Sequence, residues 1–536
     1  MCRVKKNLLL VFSVIVSIFL ALLICEIIIR KFDSYSIFSV SLKKKSINRN
    51  SQMLDASPAP MAKNVIASAV NEHINYKIPL ADGVVKEWFF KSPEILYNHK
   101  NVSDLVLERY KSAPVVHQYE SNYVWNYDFV LNEICKTKKI NKKRLEYFFY
   151  NSNHRIYAYQ TKSRSPHPRF RFYPNITDPQ GLVVNNLGFR GHDVTLMKSP
   201  DTIRLAFVGA STTVSASDIP YSYPELVEYW LQLWAKKNHF PYNIEVINAG
   251  RSGIASADIE QVVLNEVLPL NPDYLFYYEG SNQFSLKGVV SNKDLKKYRS
   301  KSNHFTFETK PLEKYSAIAR RYYQIVRADY SNKEVDEPKK PNLEIKWPED
   351  LSRTNPDIFN DNLPLTLSKI LQNLDVMRVA TESQGAEFVP MTFVWLPSHG
   401  MKLKLPEQTS IYIYLNHSMW PIKYGLIREL ADFQNTVFKK YAEHYHLNLI
   451  DVDAYMPRDS LLFSDAIHNT KEGVRVRAWV VFQQVVQILD KNRQKKPVIL
   501  KSTRPLNNLE SNIKCYSQED ILAQCLDRHD NSFKNQ

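Results

Sequence analysis

The chain has 536 residues, enough for two to four domains at roughly 150 residues each. Apolar residues make up 44% and charged ones 23%, which excludes wholesale disorder, and five cysteines exclude a disulfide-built scaffold or a Cys-rich zinc protein. The net charge of +15 hints at an acidic partner or surface, although lysines spread through the whole chain account for most of it. Glycine is scarce, at 13 residues against a usual share of roughly 7%. Eight of the thirteen lie between Gly181 and Gly288, so that window is where the backbone is expected to need them.

In chain order, the first element is an apolar run. Leu8 to Cys25 spans eighteen residues interrupted by only two serines, and Ile27, Ile28 and Ile29 continue it past Glu26. That reaches the roughly 20 residues needed to cross a bilayer. Arg3, Lys5 and Lys6 would suit a cleaved signal peptide, but the run exceeds the usual length of about 7–15 residues and no A-x-A site follows. Ile24 stands where a lipid-modified Cys25 would need a small residue. The expectation is therefore an N-terminal transmembrane anchor (1–33), crossing once. Charges on the two flanks, Arg3, Lys5 and Lys6 against Arg30, Lys31 and Lys43 to Lys45, leave orientation open. Long domains translocate regardless of such charges, and the remainder is expected outside the cytoplasm.

Residues 34–63, rich in Ser, Asn, Lys and Pro, read as a linker. Residues 64–184 read as an accessory domain of unassigned role, in which Arg169 to Asn175 alternates with the period of a strand. From Ile203 the pattern turns to α/β. Strands fit at 204–208, 245–247, 274–278, 387–394 and 447–452, and helices at 223–236, 257–267, 365–382 and 424–445. Such alternation predicts a parallel sheet wrapped by helices. A basic insertion at 287–347 carries 15 Lys/Arg against 8 Asp/Glu. Its Tyr298, Tyr315, Tyr322 and Tyr323 superficially suit stacking on nucleic acid. A solvated insertion accounts for the same composition, and no nucleic-acid partner is expected. The tail, 491–536, is polar and holds Cys515 and Cys525, whose pairing the sequence leaves open.

Four short motifs stand at strand ends. Gly209-Ala210-Ser211-Thr212-Thr213 follows an apolar strand and would present the Ser211 hydroxyl at the carboxyl edge of the sheet, beside a helix N-terminus. A capping serine is the plain alternative. Asn248-Ala249-Gly250-Arg251-Ser252-Gly253 lets the backbone approach a ligand, or merely turns. In Glu279-Gly280-Ser281-Asn282-Gln283, the Asn282 amide is suited to donate to a developing oxyanion, or to close a turn. In Asp465-Ala466-Ile467-His468, the carboxylate can fold back on the imidazole Nδ1–H and leave Nε2 free as a base. Each motif alone is weak; the ordered set of four is not. His399, Asp451 and Asp453 also end strands but read as a surface residue and as caps. No H-x-x-x-H or C-x-x-C spacing occurs, so neither a metal nor another cofactor is expected.

On these residues the chain resembles the SGNH hydrolase superfamily, the GDSL lipases and esterases. The blocks carry over as Ser211 in G-A-S-T-T, Gly253 in N-A-G-R-S-G, Asn282 in G-S-N, and Asp465 with His468 in D-A-I-H. Asn185 to Gly191 looks like a stretch that precedes the catalytic domain in membrane-anchored bacterial members. The resemblance covers residues 185–490. It implies a flavodoxin-like three-layer α/β/α domain with a parallel five-stranded sheet. It also implies Ser211 as nucleophile, His468 as base oriented by Asp465, and the Ser211 amide, Gly253 amide and Asn282 side chain as oxyanion donors. Ala210 and Gln283 stand where the family often has Asp, outside the catalytic roles. The implied function is ester hydrolysis on an envelope or surface substrate such as an acylated glycan or lipid. O-acyl transfer by the same residues, and a catalytically silent binding or assembly protein, remain alternatives.

Overall fold

The structure, a computed structural model, describes residues 2–32, 37, 78–93, 157–158, 171–172, 176–177, 182–215, 219–299, 315–319, 321–322, 334–404 and 408–498. The expected linker (save residue 37), most of the accessory region, Cys135, Tyr323, Cys515 and Cys525 lie outside them.

The first helix, α1, runs Cys2–Phe32. Among the described residues no helix is long and apolar enough to cross a membrane, so the expected transmembrane helix is not supported. Two charged residues in the last turns of α1 are engaged. Arg30 pairs with Glu26 at 2.7 Å, and Glu26 accepts from the Ser316 hydroxyl and from the amides of Ala317 and Ile318.

The core is built on Thr202–Gly209 (β1), of which every residue after Thr202 is buried, as befits a strand covered on both faces. Ser211–Val214 (α2) follows directly, then Tyr223–Lys237 (α3), Asn243–Asn248 (β2), Ser256–Val262 (α4), Tyr274–Tyr278 (β3), Leu367–Glu382 (α5), Glu387–Pro390 (β4), Tyr424–His444 (α6) and Lys471–Lys491 (α7). The sheet order is β2-β1-β3-β4, all parallel, with Phe207 opposite Asn248 and Gly209 opposite Tyr278. Helix α3 packs on α7 and α5 packs on α4 and α6, giving three layers. The α3–α7 seam is aromatic: the Trp230 and Trp479 rings meet edge-on at 5.0 Å. Such pairs add about 0.5–1.5 kcal/mol beyond their burial.

The sheet has four strands where five were expected. The segment 447–452 touches it at one bridge only, Ile450 beside Met391. Ile450 donates to Pro390 O at 3.1 Å, and Thr392 donates to Ile450 O at 3.0 Å. Pro390 has no N–H to give the next carbonyl back along the ladder, so pairing stops there. On the other side, Asp451 diverts the chain by capping the short helix Val452–Tyr455 through the Ala454 amide.

Residues 78–93, which precede the resemblance, pack into this same core. Phe89 lies 5.6 Å from Trp479 and 6.1 Å from Trp230, and Arg475 donates to Phe89 O. Of the alternating stretch 169–175, residues Arg171–Phe172 form a strand pairing antiparallel with Tyr157–Ala158. The basic insertion is not wholly solvated: Lys340 is buried, donates to Leu415 O and Ile422 O at 3.1 and 2.7 Å, and lies 4.4 Å from the Tyr424 ring.

Candidate active site

Ser211 is the first residue of α2, at the carboxyl end of β1, and is half-buried. Its turn is held from several sides. Thr213 Oγ1 donates to Tyr278 O at 3.2 Å, tying the turn to β3. Arg477, 1% exposed on α7, donates to Thr212 O at 2.6 Å with its guanidinium between the Tyr223 and Tyr278 rings at 4.8 and 5.3 Å. Arg190 donates to Val214 O at 2.9 Å and pairs with Glu225 of the α3 capping box, so the Asn185 to Gly191 stretch braces the far side of the turn.

His468 comes from the loop ahead of α7, where Thr470 caps the helix by accepting from the Gly473 amide at 3.2 Å. Gly473 is required by space: a Cβ there would sit 1.9 Å from Leu462 O. The sequence-predicted pair and nucleophile meet. His468 Nε2 lies 2.7 Å from Ser211 Oγ, and His468 Nδ1 lies 2.7 Å from Asp465 Oδ2. Asp465 Oδ1 accepts from the amides of Ile467 and His468, both at 2.8 Å. Burial alone would raise the Asp465 carboxyl, but the His468 hydrogen bond and charge with these two amides hold it below the usual carboxylate range. An ionised Asp465 with the ring nitrogen at hydrogen-bond distance favours the Nδ1–H tautomer, leaving Nε2 to accept from Ser211.

The other two predicted residues sit side by side. Asn282 is exposed and donates from Nδ2 to Ile254 O at 2.7 Å, next to Gly253. One Nδ2 hydrogen remains for a ligand. Gly253 has φ +75°, a left-handed conformation that favours glycine, and a Cβ there would meet nothing within 4 Å. Among the described residues, neither the Ser211 nor the Gly253 amide has a backbone acceptor. Hydroxyl, imidazole and carboxylate thus form one hydrogen-bonded row beyond the end of β1, and the Gly253 and Asn282 donors lie together in the loops after β2 and β3. Asn282→Ala should lower kcat roughly 10²–10³-fold with little change in thermal stability, the scale of losing one oxyanion donor. Normal turnover in that variant would make Asn282 a turn residue only.

The remaining sequence candidates lie elsewhere. His399 is exposed and packs by Gly425, outside the Ser211–His468–Asp465 chain. Asp451 caps its short helix and pairs with Lys439 at 2.6 Å, and Asp453 pairs with Arg428 and Arg458. Among the described residues no three His, Cys, Asp or Glu converge as a metal site.

Three residues near the site were missed. Arg477 lies in the apolar run V-R-V-R-A-W-V-V-F, where nothing local sets it apart from Arg475. Tyr414, half-buried, carries a hydroxyl pushed up to about 12, first by burial and then by the charges of Asp465 and Glu279. Glu279 directly follows the entirely buried strand β3 and is itself buried, an unusual place for a carboxylate. Burial pushes it up to about 7, against the opposing effect of backbone amides and of His468.

No family model matches the chain, and no curated protein matches it. Solved structures do. A variant of the acetyl xylan esterase Axe2 from Geobacillus stearothermophilus is similar at 15% identity over 54% of this chain and 97% of that one, with a TM-score of 0.30. A GDSL-like lipase from Bacteroides thetaiotaomicron is similar at 12% identity over 54% of this chain and 88% of that one, with a TM-score of 0.26. Likeness at this level carries no functional inference.

Proposed function

We propose that the chain is a serine hydrolase of ester bonds. One observation carries this reading: the unbroken path from Asp465 through His468 to Ser211, with both hydrogen-bonding distances at 2.7 Å. In this reading the Ser211 hydroxyl attacks the ester carbonyl while His468 Nε2 takes its proton. The oxyanion that forms is met by the Ser211 and Gly253 amides and the Asn282 side chain. His468 then hands the proton to the leaving alcohol, and a water deprotonated by the same nitrogen releases the acid. A sugar hydroxyl in place of that water turns the same residues to O-acyl transfer.

The substrate class in this reading is an acylated glycan or lipid at an envelope surface. What supports that location is α1, where Val14, Ile18, Phe19 and Leu22 are each at least 50% exposed within the apolar run. A row of this kind needs a cover, and lipid provides one. The reading has α1 anchoring the chain in a membrane with the catalytic domain outside the cytoplasm. The full chain should stay with carbonate-washed membranes, and a chain lacking 1–33 should not. A reporter fused after residue 60 that works only in the cytoplasm would overturn the orientation.

The functional test is labelling by a fluorophosphonate probe, followed by a screen of short- and long-chain acyl esters and acetylated polysaccharides with and without an acceptor glycan. Stoichiometric labelling that Ser211→Ala abolishes supports the enzyme. A folded wild-type chain that takes no label and cleaves no ester is instead the silent binding protein.

A further inference from the structure

Two carboxylates at this site are wired alike. Asp465 uses one oxygen to accept the amides two and three residues on and gives the other to His468. Glu279 does the same with Oε1, which accepts from the amides of Ser281 and Asn282 at 2.8 and 2.6 Å. Its Oε2 is buried and has no hydrogen-bond partner among the described residues, and the residue is only 2% exposed. Burying a carboxyl with one oxygen unpartnered is costly. A serine or asparagine closes such a turn from a shorter side chain without that cost. What the Glu279 clamp holds is the turn that carries Asn282, whose own side chain is exposed and whose one intramolecular Nδ2 bond goes to Ile254 O.

We propose that Glu279 is a positioning residue for the oxyanion site, holding the Ser281–Asn282 turn so that the Asn282 side-chain NH₂ meets the carbonyl oxygen of the ester. This rests on the hydrolase reading above. An oxyanion donor acts because it is aimed before the charge develops, and a misplacement of about 1 Å can cost up to 10²-fold. An exposed asparagine on an unclamped turn would spend its time in several rotamers. Protonated or ionised, Oε1 remains an acceptor, so the clamp itself does not require the charge.

The test compares Glu279→Gln, which keeps an acceptor in the same space, with Glu279→Met, which fills that space with none. Both are made in the full chain, and turnover is referred to sites counted by fluorophosphonate titration, so that loss of folded protein does not pass for loss of rate. The Met variant should lose roughly 10–100-fold in kcat with KM nearly unchanged, and the Gln variant should stay within about threefold of wild type. In the Asn282→Ala background, Glu279→Met should add little, because the donor it positions is already gone. A Met variant with wild-type kcat per site, or losses that multiply with Asn282→Ala, overturns the inference. If the Met variant yields no folded protein, the Gln variant decides: a Gln variant as slow as Asn282→Ala overturns it, and near-wild-type turnover supports it. A wild-type chain that neither labels nor turns over overturns the hydrolase reading and this inference together; a labelled wild type with an unimpaired Met variant overturns this inference alone.

Discussion

Ser211→Ala should remove nearly all ester turnover, on the order of 10⁶-fold in kcat, and His468→Ala should remove about as much. A serine hydroxyl is a poor nucleophile at neutral pH unless a base takes its proton as it attacks. His468 Nε2, 2.7 Å from Ser211 Oγ, is the base that the structure brings to it. Because the two groups perform one step, neither accelerates anything alone. The double variant should therefore be hardly slower than either single one, with the residual rate set by substrate binding and the oxyanion donors. Rates per folded protein of the three variants on one ester decide the matter. Losses that multiply, rather than saturate, would show two independent groups and would sink the triad. Ser211 is half-buried and His468 is 35% exposed at the side chain, so neither substitution opens a core cavity and folding should survive both.

Ser211, Asp465 and His468 meet, and Gly253 and Asn282 sit side by side, because each motif carries its own local instruction. An apolar strand of known length puts the loop that follows it at the sheet's carboxyl edge, so strand ends alone place Ser211, Gly253 and Asn282 in the loops or turns there. The D-x-x-H spacing placed Asp465 against His468 by a turn of three residues. What the sequence hid lies in residues that act from a distance. Arg190 reaches Val214 O from 24 positions away, and Arg477 reaches Thr212 O from 265 away, so no local pattern announces either. The fifth strand failed for an opposite reason. The run 447–452 has strand composition, but pairing also depends on the neighbour, and Pro390 withholds a donor that only the assembled sheet reveals. Residues 78–93 look like part of a separate region in sequence, yet Trp88 and Phe89 are buried in the core, because an aromatic pair between α3 and α7 needs a third partner on its outer side.

Asp465→Asn tests the remaining link, and its expected effect is a loss of kcat of about 10⁴-fold or less, with KM little changed. The aspartate touches no substrate in this mechanism. It accepts from Nδ1–H, fixing the tautomer whose Nε2 is free, and its charge stabilises the imidazolium that forms when Ser211 gives up its proton. Asparagine fits the same space and keeps a carbonyl that can accept from the Ile467 and His468 amides, so the loop stays in place. Its NH₂ group, though, faces Nδ1 as a donor and favours the tautomer with the proton on Nε2, where it cannot serve as a base. The loss is therefore severe yet smaller than that of removing His468. The fold should report the same charge. The Asp465 carboxyl is held below its ordinary value in the folded chain, so its ionised form stabilises the fold. That contribution is present above the ordinary carboxylate range and is lost as pH falls through the lowered folded-state value. Asp465→Asn should remove this part of the acid sensitivity while leaving stability at neutral pH lower than wild type. Turnover in Asp465→Asn equal to wild type at neutral pH would leave His468 oriented by something other than Asp465.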